Sequence, residues 1–202
     1  MNIKQLLVGR SIRLRYVHRY STCRTIHKES VAEHAYYTML YSRILGWWIE
    51  EEYGSTIDYA KLLFKGLIHD MEECITGDIP RDFKHSTKEM NETIEIYAGT
   101  MFLKVVQEIL EDSQEAARWH YAWLNAKDDT LEGKIIAFAD FLSVIGYVYE
   151  ETWMTSSISL RENIESLRDY YELFDHEKFS LFRPLVVQVR DILYGEIFNG
   201  SK

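Results

Sequence analysis

The chain has 202 residues, 47% of them hydrophobic and 14% aromatic, and carries a formal net charge of −9. This length and apolar content suffice for the core of one domain, and no break in composition divides the chain, so we expect a single domain over residues 1–202. The acidic balance argues against a nucleic acid polymer as partner, because binding one requires many cations against its phosphates. No apolar run is long enough to cross a bilayer, so we expect no membrane partner.

The pattern along the chain predicts an all-α bundle. Only 2 Pro and 10 Gly interrupt it, apolar residues recur at helical spacing, and no stretch alternates as a strand does. We expect the C-terminal helices to pack on the rest of the bundle. The predicted helices cover residues 2–8, 30–52, 57–75, 86–112, 114–123, 130–151, 159–173 and 178–197.

The first 28 residues are basic and contain no acidic side chain. Acid-free, Arg-rich N-termini occur in transit peptides, but a basic segment beside a binding site would also attract a small anionic substrate. Leu6–Val8 is too short for the apolar part of a secretory leader. Cys23 and Cys74 are too few and too distant for a disulfide framework, so we expect a reducing, cytoplasmic location. The basic residues are Lys4, Arg10, Arg13, Arg15, Arg19, Arg24 and Lys28.

His69 and Asp70 are adjacent in a segment, Leu62–Ile75, that otherwise has the apolar content of a buried helix. Burying a carboxylate without a partner is costly, since even a neutral polar group costs roughly 2 to 7 kcal/mol. A divalent metal ion would offset this cost, because imidazole nitrogen and carboxylate oxygen are among its usual ligands. One such pair cannot hold an ion, so further ligands must come from elsewhere in the chain.

Two other apolar segments each carry one residue of the required kind. His34 follows a helix-start signature in which Ser30 can cap and Glu33 is the capping-box partner. Asp140 lies within the apolar stretch Ile135–Ile145 and needs a cation or several hydrogen-bond donors. Each has an alternative interpretation, His34 as a surface or core residue and Asp140 as the partner of a buried Lys or Arg. The order His, His-Asp, Asp in helical surroundings favours a metal site.

The segment that follows the His-Asp pair contains two glutamates, a glycine and an aspartate with distinct expected roles. Glu73 is close enough behind His69–Asp70 that a continuous helix would place all three side chains on one face. Glu72 would then be rotated away and face solvent. Gly77 can supply the left-handed turn that ends the helix, and Asp78 follows as a turn residue.

Taken together, these motifs resemble those of the HD-domain metal-dependent phosphohydrolases, and among them the bacterial 5′-deoxynucleotidases and their eukaryotic relatives. The pattern Glu-x-Val-Ala-Glu-His spans residues 29–34, and His-Asp-x-x-Glu-x-x-x-Gly-Asp-Ile-Pro spans residues 69–80. With Arg19-Tyr20 and Ala139-Asp140, the resemblance covers roughly residues 10–145 in matching order and spacing. It implies an HD-type helical bundle and a homodimer or larger homo-oligomer.

The resemblance also assigns roles to individual residues. It implies that Glu73 and Asp78 handle the nucleophilic water and the leaving group, and that Arg19 grips the substrate phosphate. It implies one divalent transition ion, such as Co²⁺ or Mn²⁺, whose ligands are His34, His69, Asp70 and Asp140.

Tyr20 departs from the pattern, because the bacterial enzymes usually have Arg-Trp where this chain has Arg19-Tyr20. In the family the Trp packs near the sugar and helps to exclude a 2′-hydroxyl, and the smaller Tyr leaves deoxy-over-ribo selectivity less certain than phosphatase activity. Lys84 is a candidate to help Arg19 bind the substrate, although a lysine gives less geometric control than a guanidinium. Because Arg19 belongs to the motif, a cleavable transit peptide that includes it is disfavoured.

The predicted function is hydrolysis of (deoxy)nucleoside 5′-monophosphates to nucleoside and phosphate by a divalent-metal-dependent 5′-nucleotidase. A dNTP triphosphohydrolase is the alternative, because small proteins of this type can have that activity and the surplus of Arg and Lys in residues 10–28 could bind more phosphates. A non-catalytic nucleotide-binding protein is the third possibility. It is disfavoured because every ligand and both acid-base positions are present.

Overall fold

The computed structural model describes residues 2–23, 25–155 and 177–192. Within these ranges the chain is helical and has no strand, which confirms the all-α prediction. Two 3-10 helices accompany the α-helices, at Arg10–Arg15 and Glu177–Phe182. The α-helices are α1 (Ile3–Val8), α2 (Val31–Tyr53), α3 (Tyr59–Ile68), α4 (Glu73–Thr76), α5 (Arg81–Lys84), α6 (Lys88–Leu110), α7 (Ser113–Leu124), α8 (Leu131–Thr155) and α9 (Arg183–Ile192).

Helix α2 begins with the predicted capping box. The Ser30 hydroxyl accepts from the backbone N–H of Glu33, and the Glu33 carboxylate accepts from the backbone N–H of Ser30. The helix ends at Gly54, whose φ of 63° is in the left-handed region that favours glycine. This cap fixes where α2 starts, and so places His34 in its first turns.

The core consists of two hydrophobic clusters. In the first, α2 packs against α3 and α8, with Ile49, Leu62 and Phe138 fully buried. The Phe138 ring stacks on that of Phe182, with centroids 4.4 Å apart, so the second 3-10 helix also packs on α8. In the second cluster, α6 packs against α7 around Phe102. The residues of interest for function lie where α2, α3 and α8 meet the segment after α3.

The prediction of one continuous helix over residues 57–75 is wrong. Helix α3 ends at Ile68 with His69 as its C-cap, a turn follows, and α4 starts at Glu73. In this turn the backbone N–H of Met71 donates to Ile68 and that of Glu73 to Asp70, an i to i+3 pattern that tightens the chain. Met71 and Cys74 thereby become buried in the second cluster. Tertiary packing has overridden the local helical pattern.

The other predicted helices within the described residues match the structure to within a few residues, with two exceptions. The short helix α5 after Pro80 was not predicted. The predicted helix 178–197 starts instead as a 3-10 helix, with α9 beginning at Arg183 before Pro184, a residue that suits a first helical turn, and residues 193–197 lie outside the described residues. The predicted helix 159–173 lies outside the described residues.

The segment before α2 is tied to α8. The fully buried Glu151 carboxylate accepts from the backbone N–H groups of Ile26 and His27 at 2.7 and 2.6 Å, and the Tyr147 hydroxyl donates to the carbonyl of His27 at 2.6 Å. The Arg19 backbone N–H donates to the carbonyl of Glu29. These bonds hold Arg19 beside the start of α2. No helix in the described part of the chain has the length and apolarity to cross a membrane.

Candidate metal and phosphate site

Two imidazoles and a carboxylate converge in the interior where α2 meets the end of α3. One ligand atom from each of His34, His69 and Asp70 lies within 4.8 Å of the others. The Asp70 Oδ2 is 3.1 Å from His69 Nε2 and 3.6 Å from His34 Nε2. Asp140 on α8 adds a fourth group, its Oδ1 lying 2.9 Å from His34 Nε2. The structure therefore brings the four predicted ligands together.

Both imidazoles turn Nε2 toward the carboxylates of the cluster, and His34 also has the charge that a metal ligand requires. The His69 Nδ1 is 2.7 Å from the carbonyl of Gly66, to which it donates, so its Nε2 presents a lone pair to the cluster. Burial, followed by the positive charge of Arg19, lowers the pKa of His34 to about 4, so this ring is neutral at pH 7. A neutral imidazole is the form that binds a metal ion.

The donor set fits a divalent metal ion. His34 Nε2 and His69 Nε2 are buried and make no hydrogen bond of acceptable geometry within the described part of the chain. Buried polar atoms rarely lack a partner, so two such atoms that face the same carboxylates indicate a cation site. Two nitrogen and two oxygen ligands suit borderline transition ions, and do not by themselves select one of them.

Lys127 is a site residue that the sequence analysis missed. Its Nζ lies 2.5 Å from Asp140 Oδ2, on the side of the carboxylate away from His34. Partial burial opposes its charge, but Asp140 and Asp70 raise the pKa of the Lys127 ammonium. Asp140 thus has the lysine partner that the alternative interpretation required, in addition to its place in the cluster. No periodic pattern marks Lys127, because it lies in the loop between α7 and α8.

Arg19 lies beside this cluster. Its Nε is 4.0 Å from Glu29 Oε2, its Cζ lies 5.7 Å from the centroid of the Tyr20 ring, and its guanidinium interacts electrostatically with Asp140 and Asp70. Its Nη1 is buried and has no hydrogen-bond partner in the described structure. A buried guanidinium N–H that lacks an acceptor is suited to binding an anion.

Tyr20 and Asp78 are joined to each other. The Tyr20 backbone N–H donates to Asp78 Oδ2 at 3.2 Å, so Asp78 is more than the turn residue that the local sequence indicated. Burial raises the pKa of Asp78, while Arg19 opposes the change. The Tyr20 ring stacks on Tyr147 with centroids 5.0 Å apart, and its φ of 55° is unusual for a residue other than glycine. Such backbone strain often lies at binding sites.

Gly77 ends α4 as predicted, with a φ of 72°. Glu73 lies in the first turn of α4. Its Oε2 is buried and has no hydrogen-bond partner among the described residues. Burial, then the charges of Asp70 and Asp78, raise its pKa well above the usual value for a glutamate. Glu73 therefore faces the acidic cluster, although a turn and not a continuous helix places it there.

The expectation that Glu72 faces solvent is wrong. Only 9% of Glu72 is exposed, and its Oε2 accepts from the indole N–H of Trp123 at 2.8 Å. Burial and the nearby Asp70 raise its pKa to about 7. The error follows from the assumed continuous helix, because the turn before α4 rotates Glu72 inward toward α7.

Lys84 ends α5 and is half-buried. Within the described ranges it forms no ion pair with the cluster, so its predicted role in binding substrate stays a prediction. Arg24, one of the basic residues of the N-terminal segment, lies outside the described residues.

The helical bundle and its buried His/Asp cluster define an HD-type phosphohydrolase. Within that class, the chain belongs to the YfbR-like 5′-deoxynucleotidase family, which matches residues 9–181. The predicted family is therefore confirmed, and with it the prediction of a hydrolase at the level of the family.

Individual relatives are distant. The chain is similar to a 5′-deoxynucleotidase of Vibrio cholerae, with 25% identity over 103 residues, 50% of this chain and 53% of that protein. It is similar to 5′-deoxynucleotidase YfbR of Escherichia coli O1:K1, with 24% identity over 103 residues, 50% of this chain and 52% of that protein. The chain thus spans about half the length of the curated relatives it matches.

Solved structures agree on the fold. An HD-domain phosphohydrolase from Listeria innocua has a TM-score of 0.68 at 21% identity, covering 94% of this chain and 99% of that one. A conserved hypothetical protein from Pyrococcus furiosus has a TM-score of 0.70 at 23% identity, with the same coverage. At these identities the similarity establishes the fold, and the predicted HD-type bundle is confirmed.

Proposed function

We propose that the protein is a divalent-metal-dependent 5′-nucleotidase that hydrolyses deoxynucleoside 5′-monophosphates to nucleoside and phosphate. One observation carries this proposal, namely the unpaired, buried Nη1 of Arg19 beside the cluster of His34, His69, Asp70 and Asp140. An anion-binding guanidinium next to a cation site suits a phosphate ester. Membership in the YfbR-like family supports the same conclusion.

The four clustered side chains would hold one divalent ion, which we propose to be Co²⁺, Mn²⁺ or a similar ion. When bound, such an ion lowers the pKa of a bound water and polarises a phosphoryl oxygen. Burial keeps His34 neutral, and the hydrogen bond from His69 Nδ1 to Gly66 orients the His69 ring so that its Nε2 would face the ion. Asp70 and Asp140 are ionised, because nearby positive charge holds the pKa of each carboxyl well below its usual range against the effect of burial.

Arg19 binds the phosphate of the substrate. Glu29 at 4.0 Å and the ring of Tyr20 orient the guanidinium, and the backbone bond to Glu29 fixes its position relative to α2. The N–H groups of a guanidinium form a fork that matches two phosphate oxygens. The same charge would stabilise the additional negative charge that develops in the transition state.

Glu73 and Asp78 handle protons. The raised pKa of Glu73 brings its protonation closer to neutral pH, where a general acid-base group works best. Glu73 would deprotonate or orient the attacking water, and a protonated carboxyl would return a proton to the 5′-oxygen as it leaves. Asp78 lies close enough to interact with Glu73 and also positions the backbone of Tyr20.

Tyr20 would contact the sugar. Tyr147 covers one side of its ring, and the bond to Asp78 fixes its backbone. Stacking on Tyr147 limits how the Tyr20 ring can move, so selectivity between deoxyribose and ribose depends on the size of the residue at this position.

Product analysis tests the proposed function. The purified protein, supplied with Co²⁺ or Mn²⁺, is incubated with dAMP, AMP or dATP, and phosphate, triphosphate and nucleoside are quantified. We expect phosphate and deoxyadenosine from dAMP, and none from an Asp70→Ala variant prepared in the same way. Triphosphate from dATP without turnover of dAMP would establish the triphosphohydrolase instead. Binding of dAMP without turnover of any substrate would establish a non-catalytic binding protein.

We further propose that the protein acts as a cytoplasmic homodimer. Tyr36, Leu40, Ile44 and Trp47 are exposed at spacings that place them on one face of α2. A row of exposed apolar side chains on one face commonly marks a protein interface, and a two-fold axis would pair this face with itself. Light scattering after size exclusion tests this, because a monomer of 24.0 kDa would contradict it.

A further inference from the structure

A cavity lies between the start of α2 and α8, beside the candidate metal and phosphate site. Its volume is about 930 Å³, within the range of cavities that bind small molecules. The described residues that line it include none of the proposed metal ligands and neither of the proposed acid-base groups. The cavity is therefore distinct from the His/Asp cluster.

Two buried polar atoms in the lining lack a hydrogen bond. Glu29 is 8% exposed and Ser143 is 3% exposed. Neither Glu29 Oε2 nor the Ser143 hydroxyl has a hydrogen-bond partner among the described residues. Buried polar atoms rarely lack such a partner, so a ligand that carries its own donors and acceptors would satisfy both atoms.

An aromatic wall accompanies these polar atoms. Four tyrosines line the cavity, Tyr36, Tyr37 and Tyr41 on α2 and Tyr147 on α8. Along α2, the centroids of neighbouring rings in this row are 5.4 and 6.0 Å apart. Tyrosine rings present flat faces on which a planar ring system such as a nucleobase can stack. The cavity is therefore suited to a planar ligand that also forms hydrogen bonds.

The charge of the lining favours an uncharged ligand. Its charged side chains within the described part of the chain are Arg15, Lys28, Glu29, Glu33 and Glu150, with two histidines beside them. The two permanent cations face three carboxyl groups, so this lining has no surplus of positive charge to attract a phosphate. A nucleoside fits this balance better than a nucleotide does.

One layer of side chains separates the cavity from the phosphate site. Glu29 Oε2 lies 4.0 Å from Arg19 Nε, and the Tyr147 ring stacks on that of Tyr20 with centroids 5.0 Å apart. Glu29 and Tyr147 line the cavity, whereas Arg19 and Tyr20 are the proposed substrate-binding residues. A ligand in the cavity would therefore contact residues that touch the substrate-binding pair.

We propose that this cavity is a second binding site, which takes an uncharged nucleoside. Its base stacks on the tyrosines, and its polar groups bond to Glu29 Oε2 and the Ser143 hydroxyl. The choice of a nucleoside rests on the proposed function, which releases one as product. The binding of an uncharged, planar, hydrogen-bonding ligand rests on the cavity alone.

Calorimetry on the metal-free protein, with deoxyadenosine as the probe, tests this site. We expect Ser143→Ala to weaken binding about 3- to 10-fold, the effect of losing one hydrogen bond. Gly146→Leu should abolish binding, because Gly146 lines the cavity and a Cβ there would lie 3.4 Å from the Tyr41 hydroxyl, so a longer side chain would occupy the space. Ser42→Ala is the matched control, since this buried serine of α2 donates to the Thr38 carbonyl at 2.7 Å and should leave binding unchanged.

Two results of the calorimetry would overturn the inference. The first is a wild-type protein that binds no deoxyadenosine. The second is a Gly146→Leu protein that is folded by circular dichroism and binds deoxyadenosine as tightly as the wild type. If Gly146→Leu does not fold, Ser143→Ala decides, and an affinity equal to that of the wild type would refute the site.

Turnover of dAMP separates the cavity from the catalytic site. With Mn²⁺ added, we expect Gly146→Leu to retain the wild-type kcat/KM for dAMP. Loss of both dAMP turnover and deoxyadenosine binding in a folded Gly146→Leu protein would place the cavity within the catalytic site, and would overturn the proposal of a second site. If the wild type does not hydrolyse dAMP, the proposed function fails, and the calorimetry still decides whether the cavity binds a nucleoside.

Discussion

Glu72 provides a direct test of how burial in this structure changes the pKa of a carboxyl group. Burial and the charge of Asp70 raise its pKa from 4.5 to about 7, while the Trp123 indole N–H opposes the change. A raised pKa means that the folded protein favours the protonated carboxyl. The contribution of the protonated Glu72 carboxyl to stability is therefore fully present below the unfolded pKa of 4.5 and is lost as the pH rises through about 7.

The expected magnitude follows from linkage. Each unit of pKa difference corresponds to about 1.4 kcal/mol, so the penalty is roughly 1 kcal/mol at pH 5 and about 3 kcal/mol at pH 8. Glu72→Gln removes the charge and keeps an oxygen that can accept from Trp123. In the metal-free protein we expect it to raise the free energy of unfolding at pH 8 by about 2 kcal/mol more than at pH 5.

Urea denaturation at pH 5 and pH 8 measures this difference. Glu115→Gln is the matched control, because Glu115 also accepts from an indole N–H, that of Trp119 at 3.2 Å, but its side chain is 40% exposed. We expect no pH-dependent gain from that control. An equal gain at both pH values for Glu72→Gln would refute the argument, because it would show that Glu72 carries no charge penalty in the folded protein.

Four further predictions test the site and its support. Asp70→Ala should remove both bound metal and turnover while circular dichroism stays helical, and a fully metallated variant in elemental analysis would contradict the ligand set. Glu73→Ala should retain the metal and bind dAMP but lose kcat by roughly 10² to 10⁴, the usual contribution of positioned acid-base catalysis; steady-state kinetics with an unchanged kcat would remove Glu73 from the mechanism. Tyr20→Trp should increase the ratio of kcat/KM for dAMP over AMP, whereas Arg19→Ala should lower kcat/KM for both alike, and an unchanged ratio in Tyr20→Trp would place selectivity elsewhere. Glu151→Ala should lower the free energy of unfolding by about 3 kcal/mol, because two backbone N–H groups lose a charged acceptor, and a denaturation midpoint equal to that of the wild type would exclude this role.

Local signals in the sequence predicted those parts of the fold that depend on interactions between residues close together in the chain. The capping box at Ser30 and Glu33 formed because both of its hydrogen bonds lie within one helical turn. Gly77 ended α4 because glycine adopts a positive φ at little cost. Asp140 was recognised as needing a cation because its neighbours along the chain are apolar.

Residues whose partners are distant in the sequence could not be predicted in this way. Glu72 meets Trp123, which is 51 residues away, and nothing near Glu72 in the sequence indicates that contact. Lys127 lies in a loop, so no helical or strand period predicts the direction of its side chain. The motif identified the proposed ligands, but neither of these contacts belongs to it.

The turn between α3 and α4 places Glu73 near Asp70 and Asp78, and it also buries Glu72, which we expected to face solvent. A continuous helix would have placed one acid on the cluster and left the other in water. The i to i+3 bonds of the turn instead bury both, so Asp70, Glu72 and Glu73 lie together and raise the energy of one another's charged forms. Three neighbouring acids can then differ in protonation at one pH, because Asp70 lies against His69 and Lys127 whereas burial dominates at Glu72. An ionised carboxylate beside an acid that readily holds a proton suits the proposed hydrolysis of a phosphate ester.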